Sequence, residues 1–377
     1  MHHGNIVLFS PGLGYINRGI ETFTRELYET LSSKDIKIDL FQGTGDVLDG
    51  AIPISAPRRN SAIYDSPLFS RFKQRSYWIE NVVFSVPLAW HCYTKPCDIV
   101  HFNEGIPANV LYHLRRRLGG RFKLLFCNGG PLLPAQYMRY DYVQVQTPEQ
   151  LRDGLEAGYP EPNLFLIPPG LNCKPFTRKL DGEAVQSQRR IWNLPTDRSL
   201  ILSVGAVNMS HKRMDWLVQE FSRLDPSQFF LWIVGQMDTE TEEVKQLAAT
   251  LLQPNSYKFD TVPYAQMPQV YTIADYFVLC SLTEGLPRVY LEAMSAGLPI
   301  IVNQSSLTEW VLESDNLGLV NMQQSGTLSD KILYFESNPT ARNQQAQSNQ
   351  LTAKARFDWS SLCDQYLEMY DQILHRK

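Results

Sequence analysis

The chain alternates short apolar runs with longer stretches in which apolar residues recur at helical spacing. The first run, residues 5–9, leads through a glycine-rich loop into residues 21–32, where Phe23, Leu27 and Leu31 share one helical face. Further apolar runs follow at residues 36–41, 98–102, 123–127 and 142–145. Strands that alternate with helices in this way are typical of a parallel sheet covered by helices, so the pattern predicts an α/β domain.

A second series of apolar runs begins after a segment rich in Pro, Arg and polar residues. Its runs lie at residues 200–204, 229–234, 276–280 and 299–302. The length of 377 residues also favours two domains, because a single core rarely grows beyond about 250–300 residues. The predicted division is an N-terminal domain at 1–170, a linker at 171–195, a C-terminal domain at 196–357, and a final helix at 358–377 that packs back on the first domain.

The composition is that of a globular protein with little net charge. Hydrophobic residues make up 44% of the chain and charged residues 20%, and the formal net charge is -4. This balance argues against nucleic acid as a partner, because domains that bind it usually carry a strongly basic surface. The six cysteines contain no C-x-x-C pair, and no signal-peptide pattern precedes the first apolar run, so we expect a cytoplasmic location.

Positive charge is concentrated between residues 58 and 123, where eleven Lys or Arg outnumber four Asp or Glu by seven. This region predicts a peripheral contact with an anionic membrane or with an anionic ligand, and it equally fits a solvated basic face. Residues 77–90 inside it mix aromatic and aliphatic side chains, which fits an interfacial helix or a buried helix interrupted near Pro87. No apolar run reaches the roughly 18–20 residues that span a bilayer.

The most informative segment is residues 281–299, which read Ser-Leu-Thr-Glu-Gly-Leu-Pro-Arg-Val-Tyr-Leu-Glu-Ala-Met-Ser-Ala-Gly-Leu-Pro. The segment predicts a helix over about residues 287–296, because Pro287 suits a first helical turn and Gly297 with Pro299 supplies a stop signal. Backbone N–H groups at the start of such a helix lie at its positive end. They form a site for a phosphate or for the hydroxyl groups of a sugar.

Two glutamates, Glu284 and Glu292, are separated by seven residues in this segment, within Glu-Gly-Leu-Pro and Leu-Glu-Ala-Met-Ser-Ala-Gly. This arrangement resembles the signature of the retaining glycosyltransferases of family four. The resemblance implies an α/β fold of GT-B architecture, with two Rossmann-like, doubly wound parallel-sheet domains and a cleft between them. It further implies that the N-terminal domain binds the acceptor and the C-terminal domain a nucleotide-diphosphate sugar, the co-substrate, with no cofactor and no metal ion.

The resemblance assigns roles to individual residues of the C-terminal domain. In the family the first Glu contacts the donor sugar and the second holds the ribose hydroxyls. Lys212 matches a lysine that grips the donor diphosphate, whereas the family arginine is replaced by Ala206, so that Arg213 or His211 becomes the candidate second charge. The implied donor-binding residues are Gly19, Gly205, Lys212, Arg213, Val262, Glu284, Gly285, Leu286, Pro287 and Glu292.

The catalytic step is less completely matched. Many family members place a histidine near the reacting sugar at the strand end where this chain has Asn128. The implied catalytic residues are Glu284, Lys212 and Asn128, and the implied acceptor side consists of His101, Asn128 and Gly129. Retaining transfer of a hexose to an unidentified acceptor, whether glycan, lipid or small molecule, is the expected activity.

Other functions remain open from the sequence. A nucleotide-sugar epimerase or a phosphorylase could use the same fold. The substitutions at Ala206 and Asn128 also fit a pseudo-enzyme that binds a nucleotide sugar without turnover.

Overall fold

The computed structural model of the chain describes residues 4–16, 18–130, 132–177 and 180–376. It divides into two compact units. Unit 1 contains Met1–Gly170 and Trp359–Lys377, and unit 2 contains Leu171–Asp358. Each unit has its own parallel sheet, and the two are described separately.

The sheet of unit 1 has seven strands, which are β1 Asn5–Ser10, β2 Lys37–Gln42, β3 Ile52–Pro53, β4 Ile99–Phe102, β5 Lys123–Asn128, β6 Tyr142–Val145 and β7 Leu164–Leu166. Their order across the sheet is β3-β2-β1-β4-β5-β6-β7, and all paired strands are parallel. The order reverses between β1 and β4, which makes that pair the topological switch point where ligands of such sheets usually bind.

Four helices of unit 1 follow the strands in the expected alternation: α1 Gly19–Ser32, α2 Ser76–Thr94, α3 Gly105–Leu118 and α4 Pro148–Glu156. The apolar spacing in α1 buries Phe23, Leu27 and Leu31 against one face of the sheet, while α2 and α3 contribute to a separate core. Helix α2 runs unbroken through Pro87, so the predicted interruption there is wrong. Proline removes one helical hydrogen bond, and the continuous packing of Phe84, Leu88 and Cys92 into the core compensates for it.

Unit 2 contains a six-stranded parallel sheet, formed by β8 Ser199–Val204, β9 Phe229–Val234, β10 Tyr257–Asp260, β11 Tyr276–Leu279, β12 Ile300–Asn303 and β13 Leu319–Val320. The order is β10-β9-β8-β11-β12-β13, which again reverses beside the first strand of the series. Its helices are α5 Gly182–Ile191, α6 Met214–Phe221, α7 Thr241–Leu251, α8 Met267–Thr272, α9 Arg288–Ser295, α10 Ser306–Leu312, α11 Thr327–Ser337 and α12 Pro339–Arg356.

The segment predicted as a linker, residues 171–195, is part of unit 2. Leu171, Cys173 and Phe176 are buried in the core of that unit, and the N–H of Leu171 donates to the carbonyl of Phe357 at 2.8 Å. The polar residues Asn172 and Lys174 and the proline Pro175 between these side chains are exposed, whereas Arg189 is buried.

The last helix, α13 Trp359–His375, lies in unit 1. Its apolar stripe enters the core beside α1, and two tyrosines of the stripe also make polar contacts with the sheet. The Tyr366 hydroxyl accepts from Gln144 of β6 at 2.8 Å and donates to the carbonyl of Pro168 at 3.0 Å. Among the described helices, none combines the length and apolarity that crossing a bilayer requires.

Candidate active site

The switch point of unit 2 brings two loops that carry candidate site residues to the same edge of the sheet. Strands β8 and β11 are paired and parallel, so their carboxyl ends, Val204 and Leu279, emerge side by side. The loop after β8 carries Gly205 and Lys212, and the loop after β11 carries Glu284. Parallel pairing therefore accounts for the proximity of residues more than 70 positions apart in the sequence.

Lys212 and Glu284 form an ion pair that is largely shielded from solvent. The Lys212 Nζ lies 2.5 Å from Glu284 Oε1, and the side chains are 14% and 9% exposed. His211 Nε2 lies 3.5 Å from the other oxygen, Glu284 Oε2. A Cβ atom on Gly205 would lie 3.3 Å from the methylene groups of Lys212, so the glycine leaves room for the lysine stem to lie along the loop.

Asn208 and Glu240 hold the lysine loop in shape. The Asn208 side-chain oxygen accepts from the N–H of Lys212 at 2.8 Å, and its amide donates to Asp238 at 2.9 Å. The Glu240 carboxylate accepts from the N–H groups of Met209 and Ser210, and these bonds lower the pKa of Glu240. The sequence reading missed both residues. The only sequence signal for either residue is that an Asn side chain often hydrogen-bonds to nearby main chain and so stabilises a turn.

Arg213 occupies a different environment from the one expected. Its guanidinium donates to the carbonyl oxygens of Met322 at 2.9 Å and Cys280 at 3.3 Å, and it lies 4.6 Å from the ring centre of Trp216. Its backbone is left-handed, with φ of 51°. The expectation that Arg213 binds the diphosphate is therefore corrected, because its guanidinium braces three segments of unit 2. His211, which lies next to Glu284, is the remaining candidate for a second positive charge near the diphosphate.

Helix α9 begins one residue later than predicted and carries Glu292 on its buried side. Glu292 is 2% exposed, and its Oε2 accepts from the Tyr271 hydroxyl at 2.7 Å. Burial, reinforced by the Glu292 charge, raises the pKa of Tyr271 well above its ordinary value, so this hydroxyl remains a donor that orients the carboxylate. Tyr271 comes from α8 and was not anticipated from the sequence.

The residues of the turn before α9 differ in burial. The Leu286 side chain is buried in the core, whereas Gly285 and Pro287 are partly exposed at the positive end of the helix. Val262 follows β10 and packs partly against the same core. Any contact of Leu286 with a donor would have to come from its main chain.

The switch point of unit 1 carries a second group of polar residues, called here the polar cluster: Tyr15, Glu21, Arg59, Tyr77, Glu80 and Glu104. Tyr15 donates to Glu80, Tyr77 donates to Glu104, and Arg59 Nε lies 2.5 Å from Glu80 Oε2. Burial raises the pKa of Glu21. Among the described residues, Arg59 Nη2 and Glu21 Oε2 are buried without a hydrogen-bond partner.

The remaining N-terminal candidates lie in separate places within unit 1. Asn128 ends β5 and is buried; its Nδ2 lies 3.4 Å from the carbonyl of Leu132, and its Oδ1 has no partner among the described residues. Gly129 follows it, where a Cβ would lie 3.4 Å from Asn103 Nδ2. Gly19 is the exposed first residue of α1.

His101 is not an acceptor-side residue, contrary to expectation. Its ring is buried under α13, where Nδ1 lies 2.8 Å from the Tyr370 hydroxyl. Burial lowers the pKa of His101 to about 3, so the imidazole is neutral in the folded protein. The strand end that suggested a site residue instead points the histidine into the core.

Comparison with known proteins agrees with this architecture. Residues 185–352 match the family described as Glycosyl transferases group 1. Alpha-monoglucosyldiacylglycerol synthase of Acholeplasma laidlawii is 21% identical over 76% of this chain and 70% of its own length. Alpha-galactosylglucosyldiacylglycerol synthase of Streptococcus pneumoniae is 25% identical over 54% of both chains. The structure of Anabaena HepE in complex with UDP-glucose matches with a TM-score of 0.77 and 15% identity over 98% of this chain and 100% of that one.

The fold is therefore that of a GT-B glycosyltransferase, with two Rossmann-like units of seven and six parallel strands. The prediction of this fold class is confirmed, as is the resemblance to glycosyltransferases. Residues 185–352 are those that match the group 1 glycosyl transferases, and the ion pair of Lys212 with Glu284 lies within that region.

The buried neutral His101 predicts a loss of stability in mild acid. Because its folded-state pKa is lowered, the unfolded chain takes up a proton more readily than the folded one. The stability that the neutral His101 ring contributes is fully present above about pH 6.5 and is lost as the pH falls toward 3. Over that range the free energy of unfolding should change by up to about 1.4 kcal/mol per pH unit. Urea denaturation at several pH values should show this slope in the wild type and lose it in His101→Gln. Equal slopes in the two proteins would contradict the assignment.

Arg213 is predicted to stabilise unit 2. Arg213→Ala should lower the free energy of unfolding by about 1.5–3 kcal/mol, because it removes two hydrogen bonds from a charged group. Chemical denaturation measures the effect, with Arg190→Ala on the exposed side of α5 as the matched control that stays near wild type. An Arg213→Ala protein that is as stable as the wild type but binds the donor weakly would contradict this prediction and would indicate that Arg213 contacts the diphosphate.

Proposed function

We propose that the protein is a retaining, metal-independent transferase that moves a hexose from a nucleoside diphosphate sugar to an acceptor hydroxyl. The observation that carries this proposal is the shielded Lys212–Glu284 pair at the switch point of unit 2, beside the positive end of α9. A cation and a helix N-terminus together suit a diphosphate, and a carboxylate next to them suits the hydroxyl groups of the attached sugar.

Donor binding would change the partner of Lys212. The diphosphate carries more negative charge than one carboxylate, so Lys212 would turn to it and leave Glu284 free to accept hydrogen bonds from the sugar. Glu292, oriented by Tyr271, would hold the ribose hydroxyls. The ion pair thus holds Lys212 and Glu284 close to the positions in which they would contact the donor. Little reorganisation is then needed when the donor binds.

The reaction needs little further chemistry from the protein. The bond between sugar C1 and the diphosphate oxygen breaks, and its electron pair leaves with the nucleoside diphosphate. The acceptor oxygen bonds to C1 on the same face, and its proton passes to the departing phosphate oxygen. Lys212 stabilises the charge that develops on the leaving group, which is the role we propose for a cation in place of a metal ion.

Unit 1 would supply the acceptor side. The polar cluster contains three carboxylates and one guanidinium, and two of its polar atoms are buried without a partner among the described residues. Carboxylates accept hydrogen bonds from hydroxyl groups and repel anions, so the cluster favours an uncharged, hydroxyl-bearing acceptor over a phosphorylated one. Asn128 ends a neighbouring strand of the same sheet, and its Oδ1, which has no partner in the part of the chain that the structure describes, would accept another hydroxyl.

We place the enzyme in the cytoplasm, at a membrane surface. Its six cysteines are all free thiols, as suits a reducing compartment. The basic region at 58–123 supports peripheral contact with anionic lipid, and two relatives are named as synthases of glycosylated diacylglycerols.

A second candidate is a protein that binds a nucleotide sugar without turnover, favoured by Ala206 at the position of the family arginine. It predicts that calorimetry detects donor binding but that no acceptor pool releases nucleoside diphosphate. Screening UDP-, GDP- and ADP-sugars for release of the diphosphate separates the two candidates and identifies the donor.

Two substitutions test the donor site. Lys212→Met keeps the apolar stem along Gly205 but removes the charge, and we expect kcat to fall by about 100-fold or more. Glu292→Ala should weaken donor binding by about 1.5–3 kcal/mol through lost hydrogen bonds. Steady-state kinetics and calorimetry measure these effects.

Tyr271→Phe is the control for Glu292→Ala, because it retains the carboxylate and removes only the group that orients it. It should weaken donor binding by less than Glu292→Ala. Unchanged donor affinity in Glu292→Ala would remove Glu292 from the site, and unchanged turnover in Lys212→Met would remove Lys212.

The stereochemical course gives an independent test. With an α-linked nucleotide sugar, proton NMR of the product should show an α-linkage, and excess EDTA should leave the rate unchanged. A β-linked product would disprove retention. Activity that disappears with EDTA and returns with a divalent cation would disprove metal independence.

A further inference from the structure

Helix α2 packs Phe84, Leu88 and Cys92 into the core, yet its exposed side is apolar as well. Its buried side includes Glu80, Asn81 and Ser85. Its exposed side includes Trp78, Val86 and Trp90, with 56%, 68% and 73% of their surfaces accessible. A water-facing helix normally exposes charged or polar residues, so this face is not explained by the fold of unit 1.

Four exposed apolar residues and the half-buried Val82 form one continuous stripe, called here the α2 stripe: Trp78, Val82, Val83, Val86 and Trp90. Positions four apart lie on nearly the same side of a helix, and twelve residues at 1.5 Å rise extend for about 18 Å. Between Trp78 and Trp90 the only charged residue is Glu80, and it faces inward. The stripe is therefore uncharged along its length.

Basic residues adjoin the N-terminal end of the stripe. A 3-10 turn, Ser70–Arg75, leads directly into α2 and exposes Arg71, Lys73 and Arg75. Lys73 pairs with Asp65 at 2.6 Å, which leaves a local excess of positive charge from the two arginines. Leu68 and Phe69, just before this turn, are 78% and 42% exposed.

The basic residues at the end of α3 differ in their exposure and partners. Arg115 is held by Asp141, with Nη2 2.9 Å from Oδ1, and it also donates to the carbonyl of Phe122 at 2.9 Å. Arg116 and Arg117 are exposed beside Leu118. Arg115 is therefore a bracing residue of unit 1, and a membrane test should leave it intact.

We propose that the α2 stripe and the turn 70–75 form a docking surface for an anionic lipid bilayer. Tryptophans and aliphatic residues would enter the headgroup boundary while the arginines contact anionic headgroups. Tryptophan is the side chain that favours this boundary, because its large ring is apolar and its N–H can meet polar groups. The positive charge next to the stripe is what favours a lipid surface over a second copy of the chain, whose own stripe would bring the same charges together.

Helix α2 also connects this surface to the polar cluster. Tyr77 and Glu80 belong to the cluster and lie on the helix that carries the stripe. A lipid whose hydroxyl-bearing headgroup rises from the bilayer would meet these groups. Resting on the proposed function, we infer that the acceptor is an uncharged membrane lipid; the docking itself does not depend on that function.

Vesicle co-sedimentation tests the docking surface in the full chain. The wild type should bind vesicles of phosphatidylcholine with phosphatidylglycerol more strongly than phosphatidylcholine alone. Trp78→Ser with Trp90→Ser should weaken binding by about tenfold or more, and Arg71→Gln with Arg75→Gln should weaken binding and its salt sensitivity. The matched control is Ile191→Ser with Leu351→Ser in unit 2, which removes two apolar residues of 67% and 62% exposure and should bind as the wild type does.

Two further measurements make the result decisive. Phosphatidylcholine brominated on its acyl chains should quench tryptophan fluorescence in the wild type and much less in the double Trp variant. Circular dichroism and donor calorimetry should be unchanged in that variant. Absence of wild-type binding to anionic vesicles, or equal binding by the Trp variant, overturns the proposal. So does a wild-type dimer that the Trp variant disrupts while vesicle binding is unaffected.

The acceptor is tested separately with radiolabelled UDP-glucose and vesicles that contain monoglucosyldiacylglycerol or diacylglycerol. Label in the organic extract supports a lipid acceptor. Vesicle binding without such label, although donor is consumed with a soluble sugar, rejects the lipid acceptor and retains the docking surface. If no donor binds at all, the proposed function fails, whatever the vesicles show.

Discussion

Parallel pairing of β8 with β11 is the constraint on which the candidate active site depends. It places the carboxyl ends of both strands at one edge of the sheet. Lys212 and Glu284 therefore lie close together although their loops are far apart in the sequence. A shielded charge is costly unless it is paired, and each of these groups supplies the partner of the other. The loop around Lys212 is in turn fixed by Asn208 and Glu240, which keeps the lysine at the edge rather than in solvent.

The same topological rule acts twice, with opposite electrostatic results. In unit 2 the switch point has a lysine and the positive end of a helix, which together suit a diphosphate. In unit 1 it has a cluster in which Glu21, Glu80 and Glu104 outnumber Arg59. This difference underlies our proposal of a charged donor at one switch point and an uncharged acceptor at the other, although both sheets are built on similar strand orders.

The sequence predicted those parts of the fold that local patterning determines. Runs such as 5–9 and 229–234 are buried on both faces of a sheet, and such strands are apolar throughout. Strand β10 was missed because Lys258 and Asp260 interrupt its apolar pattern and pair with each other at 2.8 Å. The two-residue strands β3 and β13 are too short for any pattern.

Residue roles were harder to predict than elements, because they depend on where a side chain points. The motif selected Glu284, Glu292 and Lys212 as candidates, but nothing local indicated that Tyr271 would reach Glu292 from another helix. Arg213 and His101 occupy positions beside functional segments, yet the structure directs the first to backbone carbonyls and the second to Tyr370. Linear spacing does not contain that information.

The position of α13 constrains the order in which the chain acquires its structure during synthesis. Unit 1 is assembled from segments at opposite ends of the sequence, with all of unit 2 between them. Until the ribosome has released α13, His101 and Gln144 lack their tyrosine partners, and α1 covers only part of that face of the first sheet. Unit 2 is continuous and can fold as soon as it emerges, so the half of the protein that is made first is the half that is completed last.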